Sequence, residues 1–229
     1  MNNPQFFLQD HKPHTTHLCF FKIPFNEMVL RFEQRLQELG LIWGWTVTHQ
    51  KLSDELSLSD KIKMLEPCVI LHDRYLILET VSDWCVYMEN GPLGTEVFNQ
   101  PDYLSKTWAV ENISLYLSPN FKKDEFGAVM FHWQNGANKI SEYEVESRTI
   151  MVHKETSKTT FEQSGKPFVF EDLASYEKRI KKERLTVDMV AEYCKHFNID
   201  LFNLDFYKGR AALFTTHKKK GKANIVKAV

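Results

Sequence analysis

The 229-residue chain contains no apolar run approaching the ~20 residues that a membrane helix needs, which excludes a helical membrane span. Residues 1–11 carry amides and polar groups where a secretory signal would place its apolar stretch, so the protein is expected to be cytoplasmic. Cysteine is scarce. Cys19, Cys68, Cys85 and Cys194 are widely spaced, each among apolar neighbours, a usage that predicts buried free thiols and argues against a disulfide framework. The linear signatures of several chemistries are also missing. There is no Gly-x-Ser-x-Gly elbow, no phosphate-cradling Gly-x-x-x-x-Gly-Lys-Ser/Thr loop, no His-Glu-x-x-His helix and no paired Cys-x-x-Cys. No internal repeat and no inter-domain linker divides the chain.

What the sequence does have is a heavy apolar content. At 43% hydrophobic and 13% aromatic it lies well away from disordered compositions, and it is long enough to bury a large core. The stretch Trp84–Glu96 organises the rest: a short apolar strand, Trp84–Met88, runs into the turn Asn90-Gly91-Pro92-Leu93-Gly94-Thr95. Gly91 and Gly94 supply backbone freedom there, and Pro92 fixes its own φ. His17–Ile23 reads as a strand. Pro24–Leu39 reads as a helix with Phe25, Met28, Val29, Phe32, Leu36 and Leu39 on one face, stopped by Gly40. Leu41–Val47 alternates as a strand, and Val69–Leu71 with Tyr75–Val81 flanks a tight turn at His72-Asp73-Arg74. A helix follows around Asp102–Trp108, then strands over Asn112–Leu117 and Phe126–Trp133, a Gly/Asn turn over Gln134–Lys139, and strands over Ser141–His153 and Thr159–Gln163. Two helices close the domain: Leu173–Arg184, and Val187–Phe197 capped by Thr186. The fold class is therefore α+β: a mainly antiparallel sheet with a packed N-terminal helix and two C-terminal helices. Residues 1–16 read as a loosely ordered arm, 17–207 as one domain and 208–229 as a basic tail.

Charge is unevenly distributed. The chain has 29 basic and 30 acidic residues, but after Tyr207 there are seven basic and no acidic ones, which leaves a body of 22 against 30, a net of −8. An acidic body steers toward basic partners. The tail run Lys218-Lys219-Lys220-Gly221-Lys222 lacks the apolar face of a membrane helix and the aromatic interleaving of a base-stacking surface, so neither a membrane nor nucleic acid is expected as partner. Read as a strand, Glu142-Tyr143-Glu144-Val145-Glu146 puts Glu142, Glu144 and Glu146 on one face. Such a row either protects a solvated edge or awaits a basic partner. With Glu89 and Glu96 beside the central turn, these are the candidate partner-binding residues. His11, His14 and His17 are spaced by three, but Pro13 interrupts any helix that would bring them to one metal, so a solvated arm is the expectation. No metal and no cofactor are expected. An enzyme without a linear motif, hydrolase-like, would draw on Glu89, Glu96 and His132. A nucleic-acid-associated protein would work through the tail.

A wider pattern runs through Trp84-Cys85-Val86-Tyr87, Glu89–Glu96, Arg148-Thr149-Ile150, Ser164–Glu171, Tyr176, Arg179, Arg184-Leu185-Thr186, Tyr193, Asn198-Ile199-Asp200 and Asp205-Phe206-Tyr207. In this the chain resembles bacterial proteins similar to the cytosolic immunity proteins of contact-dependent and polymorphic toxin systems. The resemblance spans residues 75–207 and leaves the basic tail outside. It implies a non-enzymatic protein that neutralises a cognate toxin, a basic nuclease among the candidates, by occlusion, and it brings no catalytic residues with it.

Overall fold

A computed structural model of the protein describes residues 11–122, 126–155 and 158–218. Nine strands form one sheet in the order β2-β9-β3-β4-β1-β5-β6-β7-β8, with every neighbouring pair antiparallel. In chain order the elements are β1 (His17–Lys22), α1 (Phe25–Trp43), β2 (Trp45–Leu52), α2 (Leu58–Lys63), β3 (Arg74–Glu79), β4 (Trp84–Glu89), α3 (Asn99–Trp108), β5 (Glu111–Ser118), β6 (Gly127–Lys139), β7 (Val145–Glu155), β8 (Lys158–Ser164), α4 (Leu173–Tyr176), α5 (Val187–Lys195) and β9 (Ala211–Lys218). The protein is thus α+β and mainly antiparallel sheet. No helix among the described residues is long and apolar enough to cross a membrane.

Both faces of the sheet are covered, which explains why its central strands read as unbroken apolar runs. All six residues of β4 are buried. Its Trp84, Val86 and Met88 enter one core with Leu18 and Phe20 of β1, closed over by α5 and the segment 185–207. Cys85 and Tyr87 enter the opposite core with Cys19 and Phe21, closed over by α1 and α3. Phe32 sits at the middle of the α1 stripe, with ring centroids 5.3 Å from each of Tyr75, Tyr87 and Phe214.

Several boundaries differ from expectation, each for a physical reason. The first helix does not stop at Gly40 but runs to Trp43. Trp45 folds back so closely that a Cβ on Gly40 would lie 2.8 Å from its ring, and the stop is Gly44, left-handed at φ +73°. Val69–Leu71 is a loop, not a strand. Gln134–Lys139 continues β6 rather than turning, because Gln134 and Asn135 still pair with Asn112 and Glu111 of β5. The helix expected over Leu173–Arg184 is the single turn α4 followed by a 3₁₀ turn at Lys181–Glu183.

The largest correction concerns the two ends. Residues 11–16 are not a solvated arm throughout: His14 and Thr15 are buried. The tail expected from residue 208 includes β9, inserted between β2 and β3 inside the sheet. Ala211 and Leu213 join one core, and Ala212 and Phe214 the other. Four apolar residues facing alternately both ways bury the first half of the strand, and the adjoining lysines obscured it. Lys219, Lys220, Lys222 and Lys227 lie outside the described residues.

Candidate functional site

The sequence after β4 builds a wall. Asn90 is fully buried and uses both ends of its amide: Oδ1 accepts from the backbone N–H of Asp73 and Arg74, each at 3.1 Å, and Nδ2 donates to Pro67 O at 2.9 Å and Asp73 Oδ1 at 2.8 Å. Its carbonyl accepts from Val69 N–H at 2.9 Å. One side chain thereby holds the loop 67–73 in shape, which is the kind of fully satisfied polar hub that specifies a single conformation.

This loop forms one side of an open cleft of about 1340 Å³, walled otherwise by Arg35 and Trp43 of α1, Trp45 of β2, the start of α3 and the end of β9. On its floor Glu89, only 2% exposed, receives three hydrogen bonds: Tyr87 Oη at 2.5 Å, Glu96 N–H at 2.9 Å and His72 Nδ1 at 2.9 Å. The Glu89 bond raises the His72 pKa above its ordinary value, outweighing the opposing effect of burial. Burial pushes the Tyr87 hydroxyl far up, so it stays a donor. A Cβ on Gly91 would run into the Gly94 backbone oxygen as well as coming within 2.6 Å of His72 Nε2, and the backbone clash makes glycine obligatory there. Glu96 closes the N-terminus of α3, accepting from Phe98, Asn99 and Gln100 N–H at 2.8, 3.0 and 2.8 Å.

The floor is therefore a histidine oriented by a buried carboxylate, the arrangement of a general acid or base with its positioning partner. No hydroxyl or thiol among the described residues is hydrogen-bonded to His72 Nε2, so the group such a pair could activate is water or a substrate. The rim has a different character. Trp43, Ile70 and Leu71, which line it, are 68%, 86% and 70% exposed.

The expected site residues are distributed differently from their sequence reading. Glu89 and Glu96 do come together, joined through Glu96 N–H, but their oxygens are occupied inside the protein. Glu142, Glu144 and Glu146 do not share a strand face. Ser141–Glu144 is the β6–β7 turn, closed by Ser141 N–H on Glu144 O at 3.1 Å, and only Glu146 lies in β7, where Asn138 Nδ2 donates to it at 2.6 Å. His132 is separate from the Glu89 group; it is held between Asp102 Oδ1 at 3.1 Å and Thr149 Oγ1 at 2.8 Å. His17 Nδ1 donates to Thr95 O at 2.6 Å, while His14 Nε2 meets Glu66. All four cysteines are free, and burial pushes the Cys85 thiol up to about 12, far from a reactive thiolate. The sequence reading missed His72, taken as a turn residue, and Ile70 and Leu71, taken as strand. The available signal was an apolar pair beside His-Asp, too short to separate strand from exposed loop.

No family model, curated protein or solved structure matches the chain.

Proposed function

We propose that this protein acts by binding another protein without chemistry, and that a protruding apolar segment of the partner seats in the cleft between α1, the 67–73 loop and the start of α3. The observation that carries this reading is the exposure of Trp43, Ile70 and Leu71 together on one rim. Soluble proteins seldom leave such groups side by side in water, and each would gain roughly 1.5–3 kcal/mol on burial. The cleft of about 1340 Å³ exceeds the roughly 300–1,000 Å³ usual for small ligands. Trp43 is of a residue type enriched among interface hot spots. The resemblance to immunity proteins puts a cognate bacterial toxin first among such partners. The net charge of −8 over residues 1–207 favours a basic one by steering its approach.

The His72–Glu89 pair supports a second reading, acid–base chemistry on a substrate in the same cleft. It ranks behind because Glu89, which would position His72, is also bonded to Tyr87 Oη and Glu96 N–H, so the pair is part of the network that holds the start of α3.

The test is titration calorimetry of the full chain against the polypeptide encoded immediately upstream. Wild type is expected to form a 1:1 complex, and Ile70→Asp/Leu71→Asp to weaken it at least ~100-fold with the melting temperature retained. No complex, or equal binding by the variant, would overturn the reading. A dimer of the protein alone that the same variant abolishes would assign the rim to a second copy.

A further inference from the structure

Away from the cleft floor, three side chains of metal-ligand type converge. His14 Nε2, Glu66 Oε1 and Cys68 Sγ all lie within 4.8 Å of one another, and no other such group of three occurs among the described residues. His14 is 2% exposed and its Nδ1 makes no hydrogen bond, so the ring's one directed nitrogen is the one facing the carboxylate and the sulfur. Nε2 is 3.3 Å from Glu66 Oε1 and 3.8 Å from Cys68 Sγ. Around a tetrahedral zinc ion with Zn–N and Zn–O of about 2.0 Å and Zn–S of about 2.3 Å, the corresponding edges are about 3.3 Å and about 3.5 Å. The first edge already has that length and the second needs a shift of a few tenths of an ångström; the third, between Glu66 Oε1 and Cys68 Sγ, is within 4.8 Å and would close toward about 3.5 Å on binding, by rotation of the exposed Glu66 side chain.

We infer that His14, Glu66 and Cys68 form a zinc site with three protein ligands and a fourth position open to water. A thiolate, an imidazole and a carboxylate together favour zinc over calcium or magnesium, which take oxygen alone. The inference departs from the sequence expectation of no metal, because Glu66 and Cys68 lie more than fifty positions from His14 and only the fold unites them.

The location gives the site a consequence. His14 belongs to the turn at 11–16, whose Pro13 carbonyl lies against Gly94, where a Cβ would come within 2.6 Å of it. Cys68 immediately precedes Val69, whose N–H is bonded to Asn90 O. Zinc would cross-link the N-terminal turn to the root of the loop that presents Ile70 and Leu71, stiffening the rim. This does not depend on what the rim binds.

The experiment uses tag-free, metal-stripped full chain with zinc and, as a spectroscopic stand-in, cobalt(II). One equivalent of zinc is expected to bind and raise the melting temperature, and cobalt to show a thiolate-to-metal absorption band. Cys19, Cys85 and Cys194 are buried, so that band would report Cys68, which is half-buried. Cys68→Ser is expected to remove the band and weaken zinc at least ~100-fold, and Glu66→Gln to weaken it while keeping the band. Each variant's near-ultraviolet circular dichroism separates ligand loss from misfolding. Equal zinc affinity in wild type and Cys68→Ser, or cobalt bound without the thiolate band, would overturn the assignment.

Discussion

Glu171→Gln tests the reading of the most buried ion pair among the described residues. Arg148 is 1% exposed, yet it places Nε 2.9 Å from Glu171 Oε1 and Nη2 2.6 Å from Oε2. The guanidinium also donates to Ser164 O and Gly165 O at 3.1 Å each and to Gln163 Oε1 at 2.7 Å. Glu171 in turn accepts from Phe168 N–H at 2.8 Å and Tyr176 Oη at 3.0 Å. Glutamine has the right size but only one acceptor oxygen. That oxygen must stay at the Oε1 position, where Arg148 Nε and Phe168 N–H can only donate, so its NH₂ would face Arg148 Nη2. The guanidinium is left buried and uncompensated, which costs about 3–5 kcal/mol. For a chain of this size that is a fall in melting temperature of about 6–20 °C. Replacing both partners, Arg148→Met/Glu171→Leu, removes the buried charges together. Ser164 and Gly165 are exposed, so water can satisfy their carbonyls, and the double variant should lose much less than the sum of the single changes. Urea denaturation of wild type, Arg148→Met, Glu171→Leu and the double variant yields the cycle, with Glu171→Gln measured beside them. A loss below about 1 kcal/mol for Glu171→Gln, or a double variant as damaged as the sum, would refute the argument.

Two further outcomes follow from the same structure. Ending the chain after Tyr207 deletes β9, which pairs with β2 over eight positions and β3 over five and buries Leu213 and Phe214; cooperative thermal unfolding should be lost, and an unchanged melting temperature would show that β9 is dispensable. His72 gives a pH signature: its bond to Glu89 raises its folded pKa above the unfolded ~6.5, so its contribution is complete below that pH and is lost as pH rises through the folded value. The melting temperature of wild type should therefore fall more steeply than that of His72→Gln above about pH 6.5, and parallel profiles would refute it. His17 acts in the opposite sense, because burial lowers its pKa and its contribution is lost as pH falls below about 6.5.

How much of this was legible in the sequence depended on whether the signal was local. The apolar run of β4 and the stripe Phe25, Met28, Phe32, Leu36 of α1 were legible because burial stamps its own period on adjacent residues. The end of α1 was misread because a glycine signals either a turn or a close approach, and at Gly40 only the fold distinguishes them. At Glu142–Glu146 the alternation argument presupposed a strand. Ser141 is the competing local signal: its hydroxyl accepts from Tyr143 and Glu144 N–H at 3.4 and 3.2 Å and makes a turn instead. Nothing local could have paired Arg148 with Glu171, 23 positions on, or Asn90 with Pro67, 23 positions back.

Those pairings bear on where function should be sought. The pattern behind the immunity-protein resemblance contains Glu89, Asn90, Gly91 and Glu96, and also Arg148, Ser164, Gly165, Glu171, Tyr176 and Tyr193. The first set is the bonded group that shapes the 67–73 loop and the start of α3. The second is the network around the buried ion pair, extended by Tyr176 Oη on Tyr193 Oη at 3.0 Å. Their polar atoms are directed inward, and a side chain whose hydrogen bonds hold the fold has few left for a partner. Such residues hold this architecture together, and under the proposed binding role the choice of partner would fall to others. The rim side chains Trp43, Ile70 and Leu71 meet that condition: they are exposed and lie outside the pattern, Trp43 at the end of α1 and Ile70 and Leu71 on the loop that the pattern residue Asn90 holds in shape. On the proposed reading, such a frame with a replaceable apolar rim would let one fold meet different partners by changing a few loop residues, without disturbing the network beneath.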